Sequence, residues 1–204
     1  MHEDKMQQFT WMFIDALVEL YEWKIKCPAV WPVMMGASVD GTQKPTNEPR
    51  DDNVRRNRKN FCYKYNIAGL NYQVALATWT NRVLYSRADP GSTHDITAMR
   101  KEFIGMIPAG CRVIADSGYT GKSDHEKEVF AVKNCLDDDE VAKFKAIVRA
   151  RQECFNSRIT SYKCFKQKFT HGIDKHPKCF KAVVVQLQYA IEDTSDAGEP
   201  LDTV

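Results

Sequence analysis

The ten residues RVIADSGYTG, Arg112–Gly121, carry an apolar run that ends on an aspartate and passes at once into small, turn-forming residues. Such a run is a short strand, and a strand that stops on a carboxylate before a Gly-containing turn sets that acid at a sheet edge, where it can face a ligand. Asp116 is therefore a candidate site residue. Asp, Ser and Gly are also the ordinary chemistry of a turn, so this stretch alone leaves both roles open.

The same design recurs upstream. WPVMMGASVD, Trp31–Asp40, predicts a short apolar strand that ends on Asp40 and is followed by Gly41 and Thr42. Between the two acids, LNYQVALATW and VLYSRA flank the turn residues TNR and predict a hairpin over Asn71–Ala88. PGSTHD, Pro90–Asp95, then breaks the sheet, and Thr93 or Asp95 is expected to cap a helix running to about Phe103. After the second acid, CLDDDE leads into the longest helical pattern of the chain. Phe144, Val148, Phe155, Ile159 and Tyr162 fall on one face and are expected to pack on the sheet.

Glu153 lies on that helix well off the apolar stripe. As an isolated residue it reads first as an exposed glutamate paired with Arg149 one turn earlier. Ahead of the first strand, Phe9–Lys26 has apolar residues at helical spacing, among them Phe13, Leu17, Leu20, Tyr21 and Trp23, and closes at Cys27-Pro28. Gln43–Asn60 is polar and charged, includes RRNRKN, and predicts a long loop whose cations touch phosphate, act as a nuclear signal or are simply solvated. The end of the chain, acidic and rich in small residues, predicts disorder beyond about Tyr189.

Bulk properties bound the rest. With 204 residues, 43% of them hydrophobic, the chain can bury one sizeable core. No apolar run approaches the ~18 residues of a membrane span, and the N-terminal stretch carries acids where a signal peptide is basic, so a soluble intracellular protein is expected. Seven cysteines without a CxxC pair predict reduced, mostly buried thiols instead of a disulfide framework or a zinc ribbon. The net charge of +2 hides an uneven distribution, because Val141–Lys181 holds eleven Lys or Arg against only Glu153 and Asp174. Such a block is either a solvated helix face or a footprint for a phosphate backbone.

Three acids thus stand out in the order Asp40, Asp116, Glu153. Carboxylates gathered in one place suit Mg²⁺, a hard ion that takes oxygen ligands, and two such ions can assist phosphodiester cleavage. The five histidines are dispersed and offer no competing zinc site.

At this point the sequence resembles the DDE transposases of the Harbinger/PIF type and their relatives among bacterial insertion-sequence transposases. The likeness is carried by VDGTQKP (39–45), YNIAGLNYQVAL (65–76), PGSTHD (90–95), ADSGYTG (115–121) and RARQECFNSRI (149–159), five ordered motifs over most of Val33–Lys166. It implies an α/β, RNase H-like core with a mixed five-stranded sheet flanked by helices. A helical segment over 1–32, a catalytic domain over 33–190 and an acidic tail over 191–204 follow.

By the same resemblance Asp40, Asp116 and Glu153 are the catalytic acids and the ligands of two Mg²⁺ or Mn²⁺ ions, the two aspartates paired and the glutamate on the second ion. Arg149, Arg151, Arg158 and Lys163 are candidate DNA-phosphate contacts. His94 and Asp95 receive no metal role and are expected to serve capping and local packing. The implied partner is DNA, as transposon ends or target, and homo-oligomerisation and a nuclear location in a eukaryote go with it.

The thirty-odd residues before the first strand are too few for a helix-turn-helix with its connection, so recognition of DNA ends is expected from a separate Myb-like protein, or the chain is a truncated or domesticated copy. Two other classes stay open: a domesticated, non-catalytic DNA- or protein-binding module, against which the intact acid triad argues, and a metal-dependent nuclease acting on RNA.

Overall fold

The computed structural model describes residues 3–47, 58–120, 123–131 and 137–196. Helix α1 (Glu3–Lys24) precedes strand β1 (Met35–Pro45), the two-residue strand β2 (Phe61–Cys62) and the long hairpin of β3 (Ile67–Ala77) and β4 (Val83–Pro90). A short helix α2 (Asp95–Lys101), strand β5 (Arg112–Ile114), helix α3 (Asp124–Val129) and strand β6 (Phe130–Ala131) follow. The chain closes with α4 (Asp139–Ser161), the single turn α5 (Lys163–Lys166) and α6 (His176–Asp196).

The main sheet runs β4-β3-β1-β5-β6, with β4, β3 and β1 antiparallel and β1, β5 and β6 parallel. Short β2 adds to β3, making six strands instead of the expected five. This mixed sheet flanked by helices agrees with the RNase H-like class expected from the motifs. Central β3 is buried along all but its first residue, because β1 and β4 cover its edges and helices cover both faces.

Alternation along the strands sorts the core into two layers. Leu70, Tyr72, Val74 and Leu76 of β3 meet Tyr21 of α1, Phe155 and Ile159 of α4 and Phe180, Val184 and Leu187 of α6. Ala37 and Val39 of β1, Ala75 and Ala77 of β3 and Val113 of β5 pack on the other side against Met99, Phe103 and Tyr119. Helix α2 is fixed at this second face by a bidentate pair from Arg100 to Glu126 of α3, 2.5 and 2.9 Å, and by Lys101 to Asp89 of β4. Glu126 also closes a capping box with Ser123 and is held down at about 2 by the Arg100 hydrogen bond.

Several local expectations are corrected. The first aspartate strand does not end at Asp40, since β1 continues to Pro45 in unbroken register with β3. Phe144 is 40% exposed, because the inward position beside it is held by Lys145, buried and paired with Asp137 at 2.8 Å. On α1 the inward face is Trp11, Ile14, Leu17 and Tyr21, which leaves Phe13, Leu20 and Trp23 exposed. His94 occupies the cap position of α2 without a side-chain hydrogen bond, and neither Thr93 nor Asp95 caps it. Disorder from Tyr189 onward is replaced, as far as Asp196, by helix: Ile191 is buried and Glu192 pairs with Lys24 of α1. Of the cysteines described, only Cys62 and Cys179 are buried, and all are free thiols. Residues 48–57 of the predicted loop, Gly121, Cys135 and the tail from 197 lie outside the described residues. Among the described residues no helix is long and apolar enough to cross a membrane.

Candidate active site

Strand β5 stops pairing at Ile114, which lies opposite Ser38 of β1. Asp40 and Asp116 each stand two residues beyond that pair, so the parallel register brings the two acids to neighbouring places just past the point where β1 and β5 stop pairing. From Asp40 to Pro45 β1 pairs only with β3, and its other edge opens on a notch. Crevices of this kind, outside the carboxyl ends of parallel strands, are where α/β sheets hold ligands.

Helix α4 supplies the third wall. Gln152, 3% exposed, accepts from Ser38 Oγ at 2.7 Å and donates to the Val74 carbonyl at 3.3 Å, which fixes the helix across β1 and β3. The next residue, Glu153, is exposed and turned to the notch. Two cavities of about 200 and 440 Å³ are each lined by Asp40, Asp116 and Glu153. Arg149 lines the smaller, and Asp95 and Asn156 line the larger.

The aspartates are held differently. Asp116 accepts from Gly118 N–H at 2.8 Å and so caps the turn Ser117–Tyr119, which unites the two roles left open by its sequence. Asp40 accepts from Gly41 N–H and from Asn156 Nδ2, both at 2.8 Å. Burial pushes the Asp40 carboxyl up to about 6, and the charges of Asp116 and Asp95 add to this against the two hydrogen bonds. A carboxylate raised in this way gains from a nearby cation.

The donor types suit a hard divalent ion: three carboxylates, and beside Asp40 the buried Oδ1 of Asn156, which has no hydrogen-bond partner among the described residues. Among the described residues no three His, Cys, Asp or Glu side chains converge closely enough to enclose one. No ion pair joins Arg149 to Glu153 among the described residues, so the paired-glutamate reading of Glu153 has no support here.

The four candidate DNA contacts divide. Arg149 lines the smaller cavity, Arg158 is half-buried and Lys163 is exposed. Arg151 turns away from the notch and donates to the carbonyls of Thr78 and Thr80 and to Asn81 Oδ1, at 3.3, 3.0 and 2.9 Å. It staples the β3–β4 loop to α4.

Sequence reasoning missed Asn156, Gln152 and the role of Asp95. Asn156 stands one helical turn after Glu153, a spacing that puts both on one face and could have marked it. Asp95 accepts through Oδ1 from Asn71 at 3.0 Å and Gln73 at 2.8 Å, partners on a distant strand that no local pattern reveals.

No curated protein and no solved structure matches the chain. The family model described as DDE superfamily endonuclease matches residues 39–187, a span that begins on β1 beside Asp40, contains Asp116 and Glu153 and ends within α6. A match over this much of the sequence, on a mixed sheet with helices on both faces, makes the chain a member of the DDE superfamily endonucleases.

Proposed function

We propose that this chain is a divalent-metal-dependent DNA nuclease of the transposase type, hydrolysing phosphodiester bonds at a transposon end and passing the freed 3′-hydroxyl strand to target DNA. The observation that carries it is the shared notch: Asp40 from the middle of β1, Asp116 just past the end of β5 and Glu153 from α4 line the same cavities. Asp40 and Asp116 would hold Mg²⁺ or Mn²⁺ together, and Glu153 would ligate a second ion. When bound, the ions neutralise charge on the phosphate and strengthen the attacking oxygen.

The chain's own residues do the positioning. Gly41 N–H and Asn156 orient Asp40, Gly118 N–H orients Asp116, and Gln152 sets the height of Glu153 over the sheet. Arg149, on the cavity wall, with Arg158 and Lys163 further along the same segment, offers cations to the DNA backbone. Arg151 is assigned to the scaffold in this reading. The motif set supports the Harbinger type within the superfamily, and a nuclear place of action, a Myb-like partner for end recognition and a homo-oligomer come with that resemblance.

Calorimetric titration of the metal-free protein with Mn²⁺ tests the reading. Saturable binding that is lost in Asp40→Asn and Asp116→Asn and weakened in Glu153→Gln is expected. A folded wild-type protein that binds no Mn²⁺ but still shifts DNA in a gel would replace it with the non-catalytic binding module.

A further inference from the structure

The geometry points to Asp95 as a positioning residue for the acid pair: a carboxylate wedged between the glycines that follow Asp40 and Asp116, holding the middle of β1 and the turn after β5 in their relative places. This inference rests on the nuclease reading of the notch and adds to it a residue outside the triad.

Asp95 opens α2, on the face of the sheet opposite α4. It is anchored from β3 by Asn71 and Gln73, which both donate to its Oδ1. Asn71 is 2% exposed and also donates to the Thr93 carbonyl at 3.0 Å, so the chain entering α2 is fixed along with the side chain. Gln73 is fully buried and in turn accepts from the hydroxyl of Tyr119 at 2.8 Å. Tyr119 is itself fully buried and closes the turn that Asp116 caps. A continuous hydrogen-bonded path therefore runs from Asp95 through Gln73 to the Asp116 turn.

The same carboxylate sits against both motif glycines. Gly41 lies opposite Gln73 in the β1–β3 register, and a β-carbon there would stand 2.6 Å from Asp95 Oδ1. A β-carbon at Gly118 would stand 3.4 Å from Asp95 Oδ2. The space that a side chain at position 41 would fill is thus the space the Asp95 carboxylate uses. This gives a physical reason for glycine directly after the first acid, and for an acid in PGSTHD that caps no helix. Outer-shell partners that orient ligands in this manner typically change metal affinity about 10–100-fold when removed.

The distinction from a fourth ligand lies in what Asp95 must keep. An asparagine retains an oxygen to accept from Asn71 and Gln73 and fills the same wedge, whereas alanine does neither. Two measurements on the full chain decide the matter. In the metal-free protein, urea midpoints are compared for wild type, Gly41→Ala, Asp95→Ala and the double variant. Gly41→Ala is expected to lower the midpoint in the presence of Asp95 and to cost little more once Asp95 is alanine. Additive losses would overturn the wedge.

Mn²⁺ affinity by calorimetry is then expected to fall about 10–100-fold in Asp95→Ala, to recover largely in Asp95→Asn, and to fall less in Tyr119→Phe, which removes one link and keeps the carboxylate. An unchanged affinity in Asp95→Ala overturns the positioning role, and an Asp95→Asn variant as weak as alanine makes Asp95 a direct ligand instead. If wild type binds no Mn²⁺, the nuclease reading fails, and the metal-free midpoints still decide whether the Asp95 carboxylate is wedged against Gly41.

Discussion

Asn156 on α4 donates through Nδ2 to Oδ2 of Asp40 on β1 at 2.8 Å, which ties the helix that carries Glu153 to the first candidate acid. That bond favours the ionised carboxylate and partly offsets the burial that raises Asp40 to about 6. Asn156→Leu keeps the volume and deletes the donor, so it is expected to move the Asp40 titration further upward. Carbon-13 carboxyl shifts followed against pH in the metal-free protein would show it.

Asp40→Asn is expected to stabilise the metal-free protein. The folded chain holds the Asp40 proton more tightly than the unfolded chain, so ionising this group weakens the fold. The penalty is absent below the unfolded value of about 4, grows as pH rises, and is complete above about 6. Urea unfolding at pH 7.5 should show a gain of about 1–3 kcal/mol for the variant, shrinking toward zero near pH 4. A constant difference across that window would mean that packing, not charge, is responsible.

Arg151 tests the division of the basic helix into scaffold and contact. Its removal strips the loop carbonyls of Thr78 and Thr80 of their donor. Arg151→Ala should therefore cost about 1–3 kcal/mol of stability with little change in DNA affinity. Arg149→Ala should show the reverse, with near-normal stability, weaker binding and a salt dependence reduced by about one unit of slope. Fluorescence anisotropy over a salt series, beside thermal melts of both variants, separates the two.

How much of this was legible in the sequence depends on where each residue's partner lies. The Asp116 turn, the β3–β4 hairpin and the α4 start were readable because their signals are local: Asp138 caps Val141 three residues away. The continuation of β1 through Asp-Gly-Thr-Gln-Lys-Pro was not, because a polar strand is held there by distant groups. Lys44 is buried against Thr160 of α4, and Gly41 pairs with Gln73 of β3. Helix α6 carries no local signal that the sequence reading used, and is held by packing on α1 and β3 in spite of its β-branched run Val183–Val185. For the site, the three acids were visible as motifs, while Asn156 and the Asp95 wedge depend on tertiary neighbours.

The helix stripe itself gives a direct contrast. Phe155 is 3% exposed in the core, and Phe155→Ala is expected to cost about 3–5 kcal/mol. Phe144→Ala, at a position that spacing alone sets on the same stripe, should cost clearly less, because the residue is 40% exposed and lies outside the core clusters. Chemical denaturation of the two variants decides between spacing and structure.

The proposed function puts a metal-dependent nuclease site in the notch between β1, β5 and α4. Its most direct test is relaxation of a supercoiled plasmid by the purified chain with Mn²⁺, beside an EDTA control and the Asp116→Asn variant, which keeps an acceptor for Gly118 N–H and loses only the charge. Nicking that requires the metal and disappears in the folded variant is the predicted result. Nicking that persists in EDTA, or that the variant performs as well as wild type, would rule this site out as the source of the activity.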